Sequence, residues 1–228
     1  MQIIRHLFYF PMIFLLFPLT AQGQKKHSEP WPRILAVGDS LTEGYGVSKT
    51  NSWPALLERR LKTTYPQVMV INSGTSGATT AFGLRSLRFH FKRKKPDLVI
   101  YALGSNDGLR GHQTDKIKLN ISKALDFVKD HGSSVILAGL HAPPNYGPQY
   151  FEEFSVIFKE LSTKYAIPLI PFLLTDVATI PELNLPDGIH PNEKGYEMIA
   201  KNIYPFVIKA LQSIKEKKAS QKTEVAKP

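Results

Sequence analysis

Short apolar segments alternate with longer amphipathic segments from residue 33 to about residue 214. The short segments are rich in Val, Ile and Leu without a clear polar face, which is typical of parallel strands covered on both sides. The longer segments repeat apolar residues at three- and four-residue spacing, which predicts helices. The predicted strands are 33–37, 68–71, 97–103, 134–140 and 167–172, and the predicted helices are 52–64, 79–95, 114–131, 149–165 and 193–214.

This repeated strand–helix alternation predicts the fold class. It is typical of a parallel sheet with helices packed on both faces. Five strands favour the flavodoxin-like order, with the functional crevice at the carboxyl ends of the strands. We therefore predict an α/β chain, a flavodoxin-like three-layer α/β/α sandwich with a five-stranded parallel sheet. Pro205 is expected to kink or break the last helix.

The two ends of the chain have a different character from its middle. Arg5 and His6 precede an apolar run over residues 7–19, and small residues follow, which is typical of a secretory signal peptide. An uncleaved anchor stays open, although a spanning helix needs about 20 apolar residues. We predict a periplasmic or secreted protein with a signal peptide over 1–23, a lead-in over 24–32, one α/β domain over 33–213 and a Lys-rich disordered tail over 214–228.

The charge balance limits the possible partners. The chain has 29 Lys and Arg against 19 Asp and Glu, and much of the excess lies in residues 92–95 and in the tail. Aromatic residues do not alternate with these basic residues as they do in nucleic-acid platforms, so no nucleic-acid partner is predicted. Weak contact with a membrane surface stays open, and a monomer is expected. The chain has no cysteine, which excludes disulfides and thiol chemistry.

Polar residues of reactive type follow the predicted strands. Ser40 follows the first strand, Gly77 ends a turn after the second, Asn106 follows the third, and Asp187 and His190 lie beyond the fifth. In a parallel sheet these positions converge on one edge. Acyl transfer needs a serine nucleophile, a histidine base and a carboxylate that orients the imidazole. Backbone N–H groups of Ser40 and Gly77 and the amide of Asn106 are candidate oxyanion donors.

Each of these residues also has a simpler structural interpretation. Gly-Asp-Ser is an ordinary turn sequence, and Asp39 is more readily a turn residue than a catalytic one. Gly77 could serve only a positive φ angle, and Asn106 could be a turn residue or a helix cap. The joint occurrence of the four groups at the expected strand ends favours a serine hydrolase. Zinc-ligand spacing is missing from the sequence, so no metal and no cofactor is predicted.

Four sequence blocks resemble those of the SGNH hydrolase (GDSL esterase) superfamily. They are Gly38-Asp39-Ser40-Leu41, Gly77 in an Asn-x-x-x-x-Gly turn, Gly104-Ser105-Asn106-Asp107 and Asp187-x-x-His190. The resemblance covers about residues 33–211. It implies Ser40 as nucleophile, His190 as general base and acid, Asp187 as the group that orients His190, and Ser40, Gly77 and Asn106 as oxyanion donors.

Further segments are similar to one subgroup of that superfamily, the bacterial periplasmic multifunctional thioesterases and lysophospholipases, which include arylesterases. The similar segments are residues 52–57, 106–111 and 144–147. This resemblance implies a metal-free enzyme that hydrolyses acyl esters and thioesters. The chain departs from the subgroup at Ala78, where an acidic residue is usual, and this difference affects the geometry of the glycine turn.

The predicted function is a serine esterase that acts on small acyl esters or lipids through an acyl-enzyme on Ser40. Thioesters are possible substrates of the same chemistry. Two alternatives stay open, a carbohydrate O-deacetylase and a non-catalytic ligand-binding protein of the same fold. The residues predicted to contact the acyl group are Leu109, Pro143, Tyr146 and Ile189.

Overall fold

Five parallel strands form one sheet in the computed structural model, which describes residues 31–225. Their order is β2-β1-β3-β4-β5, which is the flavodoxin-like doubly wound order, so the predicted fold is confirmed. The predicted signal peptide lies outside the described residues, and the domain boundaries stay predictions. The strands are β1 (Arg33–Gly38), β2 (Met69–Gly74), β3 (Leu98–Ala102), β4 (Ser134–Ala138) and β5 (Leu169–Ile170).

Helices cover both faces of this sheet. On one face α3 packs against α5 and α5 against α6, and on the other face α2 packs against α7. The short helices α1 and α4 directly follow β1 and β3, where the sequence predicted only polar turns. The helices are α1 (Ser40–Glu43), α2 (Trp53–Leu61), α3 (Thr80–Arg93), α4 (Ser105–Leu109), α5 (Thr114–Asp130), α6 (Pro148–Tyr165) and α7 (Glu193–Val225).

The apolar core is centred on the inner strands. Residues 34–37 of β1 and 98–101 of β3 have no exposed surface, because helices cover both sides of these strands. Strand β2 is different: its residues are partly or largely exposed, because it lies at the edge of the sheet. The rigid inner strands therefore define where the loops at their carboxyl ends emerge.

Residues 214–225 are helical, which differs from the disordered tail predicted for 214–228. Helix α7 runs through Pro205 without a break and continues to Val225. Ile214 is buried in the core, and the Lys218 ammonium donates to Asp97 Oδ1 at 2.5 Å and lies 5.4 Å from the ring centre of Trp31. The Lys, Glu, Ala and Gln residues of this segment are good helix formers, so these contacts are enough to extend the helix.

Two leucines of α5 provide a matched test of this core. Leu125 is 1% exposed and Leu119 is 51% exposed. We expect Leu125→Ala to lower the free energy of unfolding by about 2–5 kcal/mol, because it leaves a cavity between α5 and the sheet. Leu119→Ala should change it by no more than about 0.5 kcal/mol. Urea unfolding measures both, and equal losses would contradict the assigned packing.

Candidate active site

Ser40 begins helix α1, immediately after the buried strand β1. The preceding residue, Asp39, caps this helix, since its Oδ1 accepts from the backbone N–H of Leu41 at 3.0 Å. The helix ends after one turn at Gly44, which has a left-handed backbone with φ of 91°. These two local features hold the Ser40 hydroxyl at the carboxyl-terminal edge of the sheet.

The Ser40 hydroxyl meets the His190 imidazole at this edge. His190 Nε2 lies 3.0 Å from Ser40 Oγ, and His190 Nδ1 lies 2.8 Å from Asp187 Oδ2. With Nδ1–H donating to the carboxylate, Nε2 is left to accept the Ser40 proton. The structure thus brings together the three predicted residues, although Ser40 and His190 are 150 positions apart in the chain.

Asp187 is held by its own loop. Its Oδ1 accepts from the backbone N–H groups of His190 and Ile189, each at 2.9 Å. These backbone hydrogen bonds, together with the imidazole of His190, lower the pKa of Asp187 to about 2. The carboxylate therefore stays ionised at neutral pH, the state that would stabilise an imidazolium on His190.

The His190 imidazole has a further neighbour, Tyr45, which was not predicted from the sequence. The ring of Tyr45 lies 4.4 Å from that of His190, with an angle of 39° between the planes. The backbone of the loop is fixed as well, since Leu185 N–H donates to His190 C=O at 2.7 Å. Tyr45 is only five residues beyond Ser40, but no periodic pattern indicates that it would contact a residue near the other end of the chain.

One predicted oxyanion donor, Gly77, lies on the turn that follows β2, and Asn106, in α4, contacts this turn. Thr75 N–H donates to Gly38 C=O at 3.1 Å, which joins the turn of residues 75–78 to the end of β1. Gly77 has φ of 76°, a conformation that favours glycine. Asn106 Nδ2 donates to Ala78 C=O at 3.1 Å, which uses one of its two N–H groups.

A buried carboxylate links this turn to α4. Asp107, which is 2% exposed, accepts from the backbone N–H of Thr80 at 2.7 Å and from its hydroxyl at 2.8 Å. It therefore holds the start of α3 against the helix that carries Asn106. His112 Nδ1 approaches the same carboxylate at 3.3 Å, which gives this histidine a structural contact away from Ser40.

A cavity of about 260 Å³ is lined by Leu41, the residue that follows Ser40 in the chain. Three of the four residues predicted to contact the acyl group line it, and Tyr146 does not. The Tyr146 hydroxyl instead donates to Leu109 C=O at 3.1 Å, so Tyr146 supports one wall from behind. Neither the first cavity nor a larger one of about 430 Å³ between α2 and β2 is lined by a triad residue, but the first is lined by Leu41 and Ile189, the chain neighbours of Ser40 and His190. The residues from the prediction that line the first cavity are Leu109, Pro143 and Ile189.

One wall of the first cavity consists of a histidine–phenylalanine stack that the sequence analysis missed. The rings of His141 and Phe172 are 4.0 Å apart and nearly parallel, at 4°. Burial lowers the pKa of His141, so its imidazole is neutral at neutral pH. The stacked wall is therefore uncharged, which suits an apolar ligand.

The doubly wound fold and the Ser–His–Asp arrangement define the class of protein, an α/β serine hydrolase. Residues 36–198 match the GDSL-like lipase/acylhydrolase family. The chain belongs to this family, and the predicted carboxylic ester hydrolase is confirmed.

Named relatives agree with this assignment. The chain is 38% identical to an arylesterase of Vibrio mimicus over 86% of this chain and 96% of the relative. It is 36% identical to the thioesterase 1/protease 1/lysophospholipase L1 of Escherichia coli, over 76% of this chain and 84% of the relative. Among solved structures, the psychrotrophic esterase EstA from Pseudoalteromonas sp., inhibited by monoethylphosphonate, has a TM-score of 0.75 at 30% identity and covers 79% of this chain and 99% of its own.

Asp39 provides a test of site electrostatics. Its burial raises its pKa from 3.8 to about 6, so between these values the folded protein keeps a proton that the unfolded chain releases. The free energy of unfolding should therefore fall as the pH rises from 3.8 to about 6. Asp39→Asn keeps the Leu41 cap but cannot ionise. At about pH 7 its free energy of unfolding should therefore exceed that of the unmodified protein by up to about 3 kcal/mol. Urea unfolding of both proteins at about pH 4 and about pH 7 measures this, and a pH-independent difference would refute it.

Proposed function

We propose that this protein is a serine esterase in which Ser40 is the nucleophile, His190 the general base and acid, and Asp187 the group that orients His190. The single observation that carries the proposal is the 3.0 Å contact between Ser40 Oγ and His190 Nε2, with Asp187 at 2.8 Å on the opposite ring nitrogen. The activities named for the Vibrio and Escherichia relatives support ester and thioester hydrolysis.

The reaction follows two acyl-transfer steps. His190 takes the proton of Ser40 as Oγ attacks the substrate carbonyl, and the imidazolium then protonates the leaving alcohol or thiol. The same imidazole removes a proton from water, which attacks the acyl-enzyme and releases the acid. We propose that the backbone N–H groups of Ser40 and Gly77 and the side-chain amide of Asn106 stabilise the negatively charged oxygen in both steps.

We propose that the cavity beside Leu41 binds the acyl group. Its lining is mostly apolar, with Leu140, Phe172 and Leu174 joining the three predicted residues. Ile189 is one position before His190, so an acyl chain in this cavity would have its carbonyl close to Ser40. A sugar ring would find few partners for its hydroxyls on this surface, whose polar side chains are Ser105, His141, Thr179 and Asn184. This favours acyl esters over carbohydrate esters.

Replacement of Ser40 tests the nucleophile. Ser40→Ala should reduce turnover of a chromogenic acyl ester by about 10³-fold or more, because no other group can form the acyl-enzyme. It should also abolish covalent labelling by a fluorophosphonate. Ser48→Ala is the matched control, since Ser48 is exposed and its hydroxyl contacts only Thr50 Oγ1. A Ser40→Ala variant that remains active or labelled would disprove the assignment, and failure of the unmodified protein to label would favour a non-catalytic binding protein.

The acyl-chain profile tests the cavity. On 4-nitrophenyl esters and matching acyl thioesters from acetyl to palmitoyl, we expect kcat/KM to rise from acetyl to medium chains. Each added methylene buried in the apolar cavity is worth about 0.8 kcal/mol or less. The rise should stop when the chain extends beyond about 260 Å³. Activity confined to acetyl esters, with acetylated polysaccharide preferred, would instead identify a carbohydrate O-deacetylase.

We also propose export to the periplasm or the medium, with the segment over 1–23 as a signal peptide. The support is the basic start and short apolar run of the sequence. Within residues 31–225, none of the helices combines the length and apolar character that crossing a bilayer requires. We propose a monomer as the active form, because one chain supplies all three triad residues.

Lys95 and Lys218, one from each basic segment, lie together at the edge formed by the amino ends of the strands, opposite the active site. Lys95 comes just before β3, and Lys218 contacts Asp97 at the same place. We propose that this edge makes weak contact with anionic membranes. Vesicles with and without anionic lipid should differ in binding, and replacing exposed Lys92 and Lys95 by Ala should weaken binding about 10- to 30-fold. Replacement of Lys49, which is exposed and lies near the active-site edge, is the control. Equal binding to anionic and neutral vesicles would contradict the proposal.

A further inference from the structure

Glu43 connects the helix of the nucleophile to the turn of the predicted oxyanion donor. It is the last residue of α1, three positions after Ser40. Its Oε2 accepts from the backbone N–H of Ser76 at 2.8 Å and from the Ser76 hydroxyl at 2.5 Å. Ser76 immediately precedes Gly77, so the carboxylate holds the residue whose peptide unit contains the Gly77 N–H.

The other side of the turn is held by groups from α4 and the residue after it. Arg110 donates to Gly77 C=O at 3.2 Å, and Asn106 donates to Ala78 C=O at 3.1 Å. These bonds hold the Gly77–Ala78 side of the turn, whereas the other side is held by Thr75 N–H on Gly38 C=O and by the Glu43 side chain on Ser76. Hydrogen bonds to a carboxylate are about twice as strong as neutral ones, so Glu43 is well suited to this role.

We propose that Glu43 is a positioning residue that orients the Gly77 N–H toward the reacting oxygen by holding Ser76. The inference rests on the proposed oxyanion role of Gly77. Because Glu43 and Ser40 lie on the same short helix, this contact keeps the nucleophile and the oxyanion donor at a fixed separation. The benefit appears only when charge develops on the oxygen, so kcat should depend on Glu43 more than KM does.

The test compares a variant that removes the acceptor with one that keeps it. Glu43→Ala should lower kcat about 10- to 30-fold and change KM less than about twofold, a smaller loss than the roughly 100- to 1,000-fold typical of deleting a whole donor. Glu43→Gln keeps an acceptor oxygen at the same reach and should stay within about threefold of the unmodified enzyme. Affinity for a reversible alkyl boronic acid, which mimics the tetrahedral state, should fall with kcat/KM in Glu43→Ala.

A second carboxylate provides the control for a merely structural contact. Glu58 Oε2 accepts from the backbone N–H of Val70 at 2.8 Å, within β2 rather than on the turn that follows it. Glu58→Ala should lower the melting temperature without changing kcat or boronic acid affinity. If Glu43→Ala does not fold, Ser76→Ala removes the hydroxyl contact alone and should lower kcat about threefold.

The outcomes separate this inference from the proposed function. If Glu43→Ala lowers only the melting temperature, like Glu58→Ala, the positioning role is wrong. If Asn106→Ala then still depresses kcat about 100-fold, the esterase mechanism stands without Glu43. If Ser40→Ala keeps turnover, the proposed function itself fails, whatever Glu43→Ala does.

Discussion

The hydrogen bond between Ser40 and His190 is the interaction on which the rest of the site depends. It joins the end of the first strand to a loop just before the last helix, and neither partner is reactive alone. Both ends are fixed by short-range contacts, the Asp39 cap on one side and the Asp187 hydrogen bonds on the other. The buried inner strands then set the distance between them, because a close-packed core permits little adjustment.

Carboxylates perform different tasks in this site according to their surroundings. Asp187 lies near the surface, accepts two backbone N–H bonds and stays ionised beside the imidazole. Asp39 and Asp107 are buried and anchor the backbone of α1 and α3. Glu43 is partly exposed and holds Ser76. Reactive and supporting carboxylates are therefore distinguished by solvation and hydrogen bonding, which the residue type does not reveal.

The molecule separates its chemistry from its excess charge. The triad and the apolar cavity lie at the carboxyl ends of the strands, where an uncharged wall of His141 and Phe172 suits acyl groups. The lysines of residues 92–95 and Lys218 of α7 lie at the opposite side, near the amino end of β3. The excess lysines therefore lie apart from the triad, whereas Arg110 donates to Gly77 C=O on the predicted oxyanion turn.

The sequence alone determined the fold class, most of the strand and helix segments and the residue types at the strand ends, because these follow from local periodicity and turn chemistry. Ser40, Asp187 and His190 could be predicted because parallel topology brings strand ends to one edge. Only the tertiary structure revealed Tyr45 beside His190, Glu43 on Ser76, the stack of His141 on Phe172 and the contact of Tyr146 with Leu109. It also showed α7 continuing past residue 214. These features depend on side chains distant in sequence that pack together, and no local pattern encodes such contacts.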